Sequence, residues 1–224
     1  MVIIPAINEE NSIGLVLNAI PEKIIKEIIV VDNGSIDNTV GVALDHGVTV
    51  LEEERKGYGY ACLKGIEYLG SLTDKPDIVV FLDGDYSDYP EEIENVVAPV
   101  LYDDKDLVIG SRALGNRQPG SMTIPQIFGN WLATLLLRIF YGLKFTDLGP
   151  FRAIRYQKLL DLNMSDKTYG WTVEMQLKAA KFGLQCDEVP VSYRKRIGIS
   201  KVSGTFRGTI MAGYKILWTI FKYL

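Results

Sequence analysis

Histidine is all but missing from this chain, with one residue, His46, among 224. That scarcity excludes a His-rich zinc site and leaves no base for a Ser-His-Asp triad. His46 itself precedes Gly47 where a helix is expected to end, a place the helix dipole favours for a basic ring. Two cysteines, Cys62 and Cys186, make no disulfide framework and point to a reducing cytoplasm. No uninterrupted apolar run reaches the roughly 20 residues of a membrane-spanning helix. The nearest, residues 127–143 and 209–224, both contain charges. Gly-x-Gly-x-x-Gly and Gly-x-x-x-x-Gly-Lys-Ser/Thr are absent, which argues against dinucleotide dehydrogenases and P-loop enzymes. From Arg194 onward acidic residues are missing too. Arg194, Lys195, Arg196, Lys201, Arg207, Lys215 and Lys222 make that end wholly positive, although the net charge of −4 offers no general field for nucleic acid. The opening "MVIIPAINEE" runs straight into a strand-like segment, as expected of a chain without a signal peptide.

What is present is a 47% hydrophobic, 23% charged chain, enough for one α/β domain with an appended segment. Short β-type runs alternate with helix-type runs through the first half. "VIIP", "EIIVVD", "VTVLEE", "DIVVFLD" and "DLVIGSR" read as strands. "SIGLVLNAI", "DNTVGVALDHG", "YACLKGIEYLG" and "PEEIENVVAPVL" read as the helices between them, the last with Pro90 at its start. The alternation predicts a doubly wound, mainly parallel sheet flanked by helices. Ligands of such sheets bind beyond the carboxyl ends of the strands. Polar residues gather at four of those ends: Asn8-Glu9-Glu10, Asp32-Asn33-Gly34-Ser35, Asp83-Gly84-Asp85 and Gly110-Ser111-Arg112.

Three segments carry candidate chemistry. In "FLDGDYSDYPEE" a buried strand delivers Asp83 and Asp85, either as a solvated strand exit or as oxygen ligands for Mg²⁺ or Mn²⁺ shared with a diphosphate. In "VVDNGSIDNT", Asp32 is placed to accept from a base or ribose, while Ser35 or Asp37 is placed to cap a helix. In "YRKRIGISK", Arg194, Arg196, Ser200 and Lys201 offer several phosphate donors, or else form a solvated basic loop. The last helix places Ile210, Tyr214, Leu217, Ile220, Phe221 and Leu224 on one face, with Trp218 near its edge and Lys215, Thr219 and Lys222 opposite. That pattern suits a membrane-interface helix and equally a core or dimer helix.

Taken in order, "IPAINEE", "IIVVDNGSIDNT", "FLDGDYSDYPEE" and "LVIGSR" resemble a family 2 glycosyltransferase of the GT-A fold. "DLGPFRAIR", "YGWTVEMQLKAAKFG" and "RIGISKVSGT" are similar to the dolichyl-phosphate mannose synthase-like subgroup. The resemblance covers essentially the whole chain. It implies a transferase domain over residues 1–204 and an amphipathic, interface-type helix over 205–224. It further implies transfer of a sugar from a UDP- or GDP-sugar to a polyprenyl or dolichyl phosphate, at the cytoplasmic face of the cell membrane. On that resemblance Pro5, Asn8, Glu9, Asp32 and Asp83 bind the nucleoside, and Asp83 and Asp85 hold the metal. Arg112, Arg196 and Lys201 join Asp83 and Asp85 as the catalytic set, while Arg194, Arg196, Ser200 and Lys201 meet phosphate. Family members with the fullest metal motif place Gln two residues after the second Asp; here that position is Ser87, with Asp88 where His is usual, so the resemblance assigns no third metal ligand. The transmembrane extensions of some relatives are absent, so membrane contact is expected to be peripheral.

A phosphate monoester acceptor is already an anion at neutral pH and needs no strong base. A sugar-hydroxyl acceptor needs one, and Glu174 or Asp147 is then the candidate. Two other classes remain open at this stage: a nucleotidyltransferase using the same carboxylates, and a non-catalytic membrane-surface module. The oligomeric state is left open.

Overall fold

The structure, a computed structural model, describes residues 1–198 and 206–224. The first half alternates as its hydrophobic pattern predicts: β1 (Val2–Ala6), α1 (Ile13–Ala19), β2 (Ile28–Asp32), α2 (Thr39–Asp45), β3 (Thr49–Glu52), α3 (Tyr58–Ser71), β4 (Ile78–Phe81), α4 (Ile93–Tyr102) and β5 (Leu107–Ser111). The second half adds α5 (Ile124–Tyr141), β6 (Arg152–Arg155), α6 (Tyr156–Asp161), α7 (Trp171–Lys181), β7 (Cys186–Pro190) and α8 (Phe206–Lys222). The seven strands form one sheet in the order β3-β2-β1-β4-β6-β5-β7. β6 runs antiparallel to both β4 and β5, while the remaining neighbours pair in parallel. Six strands therefore share one direction, and their carboxyl ends form a single rim.

Successive residues of each central strand face opposite layers, as pleating requires. On one side Ile3, Ile29, Phe81 and Leu107 pack with Cys62 and Leu69 of α3, Leu159 of α6 and Trp171 and Met175 of α7. On the other, Ile4, Val30, Val80 and Val108 pack with Val16 of α1, Ala43 of α2 and Val96 of α4. Cys62 and Cys186 are both free thiols. His46 sits at the C-cap of α2, its Nδ1 2.8 Å from the Val42 carbonyl.

β6 and β7 lie in stretches whose mixture of aromatic, glycine and charged residues gave no strand pattern. Arg152 is the clearest reason: it is fully buried in β6, donating to the Thr172 carbonyl at 3.0 Å and to the carbonyls of Leu148 and Gly149. A guanidinium that satisfies backbone acceptors in this way occupies a core position that polarity alone assigns to the surface.

A third apolar cluster joins α5, α7 and α8 through Ala133, Leu137, Leu148, Val173, Leu177 and Ile220. Helix α5 starts on a capping box formed by Thr123 and Gln126 and ends at Gly142, which adopts the left-handed conformation with φ 68°. Among the described residues no helix is long and apolar enough to cross a membrane.

The seat of α8 corrects the expected orientation in part. Ile220, assigned to the apolar face, is fully buried, and Thr219, assigned to the polar face, is buried beside it. Ile210, Tyr214, Phe221 and Leu224 of the apolar face, together with Trp218, are more than half exposed. The helix thus turns its polar edge toward the protein and most of its apolar face outward, opposite to an ordinary surface helix.

Candidate active site

The rim is organised by its own turns. Asp32 at the end of β2 accepts the backbone N–H groups of Gly34 and Ser35 through Oδ2, both at 3.0 Å. Its buried Oδ1 has no hydrogen-bond partner among the described residues. Asn8 takes a positive φ of 52° and reaches across to this loop, where its side chain accepts from Ile36 N–H at 2.8 Å and its own N–H donates to Ser35 Oγ. Asp37 Oδ1 accepts Thr39 N–H at 3.1 Å from one residue ahead of Asn38, the N-cap of α2. Pro5 and Glu9 line the same pocket as Asn33, Lys56, Gly57, Tyr58, Asp83, Asp85 and Arg196.

Beyond β4 the chain turns sharply, with Tyr86 held at φ 61°. Positive φ at a large side chain is strain that the surroundings must hold in place. Asp85 Oδ1 accepts from Ser87 N–H at 2.9 Å and from its hydroxyl at 2.5 Å. The Ser87 side chain is thereby committed to Asp85. Residues 193–197 form a strap over this turn: Arg194 N–H donates to Ser87 O and Ile197 N–H to Asp85 O. Arg196 bridges two carboxylates, reaching Glu9 Oε1 at 2.7 Å and Asp85 Oδ2 at 3.1 Å.

Asp83 is half-buried, and its buried Oδ1 lacks a hydrogen-bond partner among the described residues. Burial, with the charge of Asp85 beside it, raises its pKa to about 7 against the opposing pull of Arg196. Asp88 is more extreme: it is buried with both oxygens unpartnered, and burial followed by the charge of Asp83 pushes its pKa well up. Among the described residues no three carboxylate, thiol or imidazole groups are gathered closely enough to cage an ion alone. Asp83 and Asp85 still fit a hard divalent cation, because Mg²⁺ or Mn²⁺ completes its shell with water and diphosphate oxygens. The unpartnered Asp83 Oδ1 is the observation that supports that fit.

Arg112, just past β5, meets Asp147 in a bidentate pair, Nε to Oδ2 at 2.8 Å and Nη2 to Oδ1 at 2.6 Å. Burial works against both charges, but each partner outweighs it. Arg112 stays fully charged and Asp147 is held below the usual carboxylate range. Asp147 is therefore a weak proton acceptor. Glu174 is not at the rim. It lies on α7 in a separate polar recess with Ser165, Asp166, Lys215 and Tyr223. Burial alone raises its pKa, yet donors from Ser165, Tyr223, Asp166 N–H and Lys178 bring it down to about 2. Neither candidate base is poised to take a proton near neutrality.

The structure gathers Pro5, Asn8, Glu9, Asp32, Asp83, Asp85, Arg112 and Arg196 along one rim. Arg194 is instead stacked between the rings of Tyr86 and Tyr89, 3.5 and 3.9 Å from their centroids, with Nη2 on the Asp88 carbonyl. That geometry makes it a clasp for the carboxylate turn. Ser200 and Lys201 lie outside the described residues. Lys56 and Tyr58 were missed, although they follow the end of β3 and the strand-end rule that found the other four loops applies to them equally. Tyr169, also missed as a site residue, comes from the distant loop before α7; it opens the segment "YGWTVEMQLKAAKFG", whose resemblance assigned the tyrosine no role.

The glycosyl transferase family 2 profile matches residues 1–162. The chain belongs to that family. It is an enzyme, a glycosyltransferase, and its sheet and flanking helices are of the GT-A type. An uncharacterised glycosyltransferase of Mycobacterium tuberculosis is 37% identical over 214 residues, covering 94% of this chain and 93% of its own. The undecaprenyl-phosphate mannosyltransferase of Micrococcus luteus is 33% identical over 223 residues, covering 93% and 89%. Among solved structures, the glucosyl-3-phosphoglycerate synthase of M. tuberculosis in complex with Mn²⁺, UDP and glucosyl-3-phosphoglycerate superposes with a TM-score of 0.77 at 22% identity, over 99% of this chain and 78% of that one. The family membership sets aside the nucleotidyltransferase and non-catalytic readings.

Proposed function

We propose that this glycosyltransferase moves a sugar from a UDP- or GDP-sugar to a polyprenyl phosphate, working peripherally at the cytoplasmic face of the cell membrane. The observation that carries the reading is one cavity. Its lining includes Asp83 and Arg112 from the rim, Gly129 and Asn130 from α5, and Ala212, Gly213 and Ile216 from α8. A path of this kind suits an acceptor with an anionic head and an apolar tail. Its outer helices carry exposed Ile127, Phe128 and Trp131 on α5 beside Tyr214, Trp218 and Phe221 on α8, and Phe140 packs edge-on against Phe221. Residues 113–146 and 189–224 contain no acidic residue, so the two helices that carry the apolar face bear positive charge alone. The names and contents of the relatives agree: one acts on undecaprenyl phosphate, and one binds UDP with Mn²⁺.

In the proposed reaction an acceptor phosphate oxygen forms a bond to the anomeric carbon as the bond from that carbon to the nucleotide diphosphate breaks. The electron pair leaves on the diphosphate, and a single displacement inverts the centre. No general base is required, which accords with the committed carboxylates of Asp147 and Glu174. Pro5, Asn8, Glu9 and Asp32 orient the nucleoside, and Arg112 and Arg196 offer positive charge to the phosphates. Asp83 and Asp85 would hold Mg²⁺ or Mn²⁺, which supplies charge neutralisation for the departing diphosphate. Lys201 and Ser200 keep their proposed place at the phosphates.

The test is a turnover assay with a panel of UDP- and GDP-sugars and polyprenyl phosphate in vesicles, read as lipid-linked sugar by mass. A glycosyl phosphoprenol that disappears in Asp85→Asn and with chelator supports the reading. Release of nucleotide diphosphate with a soluble hydroxyl acceptor, and none with lipid, overturns it.

A further inference from the structure

The polar edge of α8 does not end in solvent. It grips the loop between α6 and α7, residues 165–170, through two buried carboxylates. Glu174 accepts Ser165 N–H and Oγ–H and Asp166 N–H, and its Oε1 also receives Tyr223 O–H at 2.6 Å. Asp166 Oδ1 accepts the N–H groups of Thr168 and Gly170 at 2.8 and 3.1 Å, while Oδ2 meets Lys215 Nζ at 2.9 Å. Four backbone N–H groups of the loop, those of Ser165, Asp166, Thr168 and Gly170, are thus fixed by carboxylates that Tyr223 and Lys215 in turn hold. Gly170 is wedged between them, since a Cβ there would run into Asp166 Oδ2 and Thr219 Oγ1.

The other side of the loop meets the nucleotide pocket. Lys167 O accepts from Tyr60 N–H at 3.2 Å. The loop lies so close to the start of α3 that a Cβ at Gly57 or Gly59 would collide with the carbonyls of Lys167 and Asp166. Thr168 lines the large cavity that holds Asp83 and Arg112. Tyr169 lines that cavity and also the pocket holding Pro5, Glu9, Asp85 and Arg196. With Tyr58 and Asp83, which also line both, it forms the partition between the two spaces. Without Lys215 and Tyr223 the loop would keep its own carboxylate turn, the Glu174 acceptors, themselves paired with Lys178 at 3.0 Å, and the Tyr60 contact. Asp166 and Glu174 would each lose a donor that holds them in place, and a shift of the loop alters the fit of whatever binds against it.

We propose that Lys215 of α8 and Tyr223, just past its C-terminal end, are positioning residues: they set the Thr168–Tyr169 side of the partition between the nucleotide pocket and the apolar cavity, and so set the fit of the acceptor. The inference rests on the glycosyl-transfer reading given above. It adds a role for the face of α8 that points away from the apolar surface, joining the seat of that helix to the geometry of the site.

The experiment compares the full-length wild type with Lys215→Ala, Lys215→Arg and Tyr223→Phe. Hydrogen exchange is followed at the amides of residues 165–170, together with steady-state kinetics on polyprenyl phosphate vesicles and thermal melts. Lys215→Ala is expected to speed exchange in the loop and to raise the acceptor KM by about tenfold, with donor KM and kcat within about twofold. Lys215→Arg is expected to restore both, because it keeps the charge that Asp166 pairs with. Unchanged exchange in Lys215→Ala overturns the proposal, as does faster exchange with an unmoved acceptor KM. A fall in kcat that tracks the melting temperature and is not rescued by arginine also overturns it. If the wild type glycosylates no lipid, the acceptor reading fails on that result. The positioning of the loop is then decided by exchange and its rescue alone.

Discussion

The carboxylate rim and the α5–α8 pair handle solvent in opposite ways. At the rim, polar groups are drawn inward: Asp85 and Asp88 are buried, Asp83 is half-buried, and Asp83 and Asp88 keep buried oxygens without a partner among the described residues. At the helix pair, apolar groups are pushed outward, with Trp131, Tyr214, Trp218 and Phe221 each more than half exposed. Each arrangement is costly in water by itself. Together they describe a protein whose stability is spent at two faces, one suited to a charged ligand and one to an apolar surface. A single cavity joins them.

Substitutions sharpen the contrast, beginning with the rim. Asp85→Asn is expected to lower turnover by about 10²–10³ or more while leaving the fold intact, measured as initial rate beside a thermal melt. An active Asp85→Asn enzyme would remove the carboxylate from the proposed chemistry. Arg112→Met leaves Asp147 buried and uncompensated and is expected to cost about 3–5 kcal/mol in urea unfolding. At the opposite face, Trp218→Ser with Phe221→Ser is expected to weaken partition onto anionic vesicles by roughly 100-fold, from two aromatic side chains at the low end of about 1.5–3 kcal/mol each, since about half of each ring is already covered by protein. The same pair should change stability in solution little, because both rings are exposed. A large loss of stability instead would mean that this face is covered by protein.

Glu174→Gln gives the smallest effect, about 1–3 kcal/mol, by weakening a carboxylate that holds several donors. Its pH dependence has a definite sign. The folded pKa, about 2, lies below the ordinary 4.5, so the stabilisation is complete above that ordinary value and is lost as pH falls toward 2. The difference in unfolding free energy between wild type and Glu174→Gln should be flat above pH 5 and shrink below it. A difference that grows on acidification would show that Glu174 is not the group being held.

The rim was legible because it depends on local order. A buried run must stop somewhere, and in a doubly wound sheet the polar residues just past each stop meet at one edge. Asn8, Asp32, Asp83 and Arg112 follow from that rule, and Lys56 with Tyr58 would have followed had it been applied to β3. Arg194 shows its limit. A cation near a phosphate site has the same sequence signal whether it meets ligand or, as here, two tyrosine rings. The helices show a different limit. Spacing revealed that α8 is two-faced, but which face turns inward depends on Asp166 and Glu174, more than forty residues away in sequence. β6 escaped for a similar reason, since the carbonyls that satisfy Arg152 come from other segments.

The place of β6 also sets a timetable for the nascent chain. β4 has β1 on one side, but its other edge is paired only by residues 152–155, some 74 positions later. At a synthesis rate of about 5–20 residues per second, that interval lasts roughly 4–15 s. Throughout it, the half-sheet β3-β2-β1-β4 presents an open apolar edge, the kind to which foreign strands add. β5 emerges first and must wait, because its neighbour is also β6. The strand that runs the wrong way is therefore the one whose arrival joins the two parts of the sheet, before β7 covers the outer edge of β5.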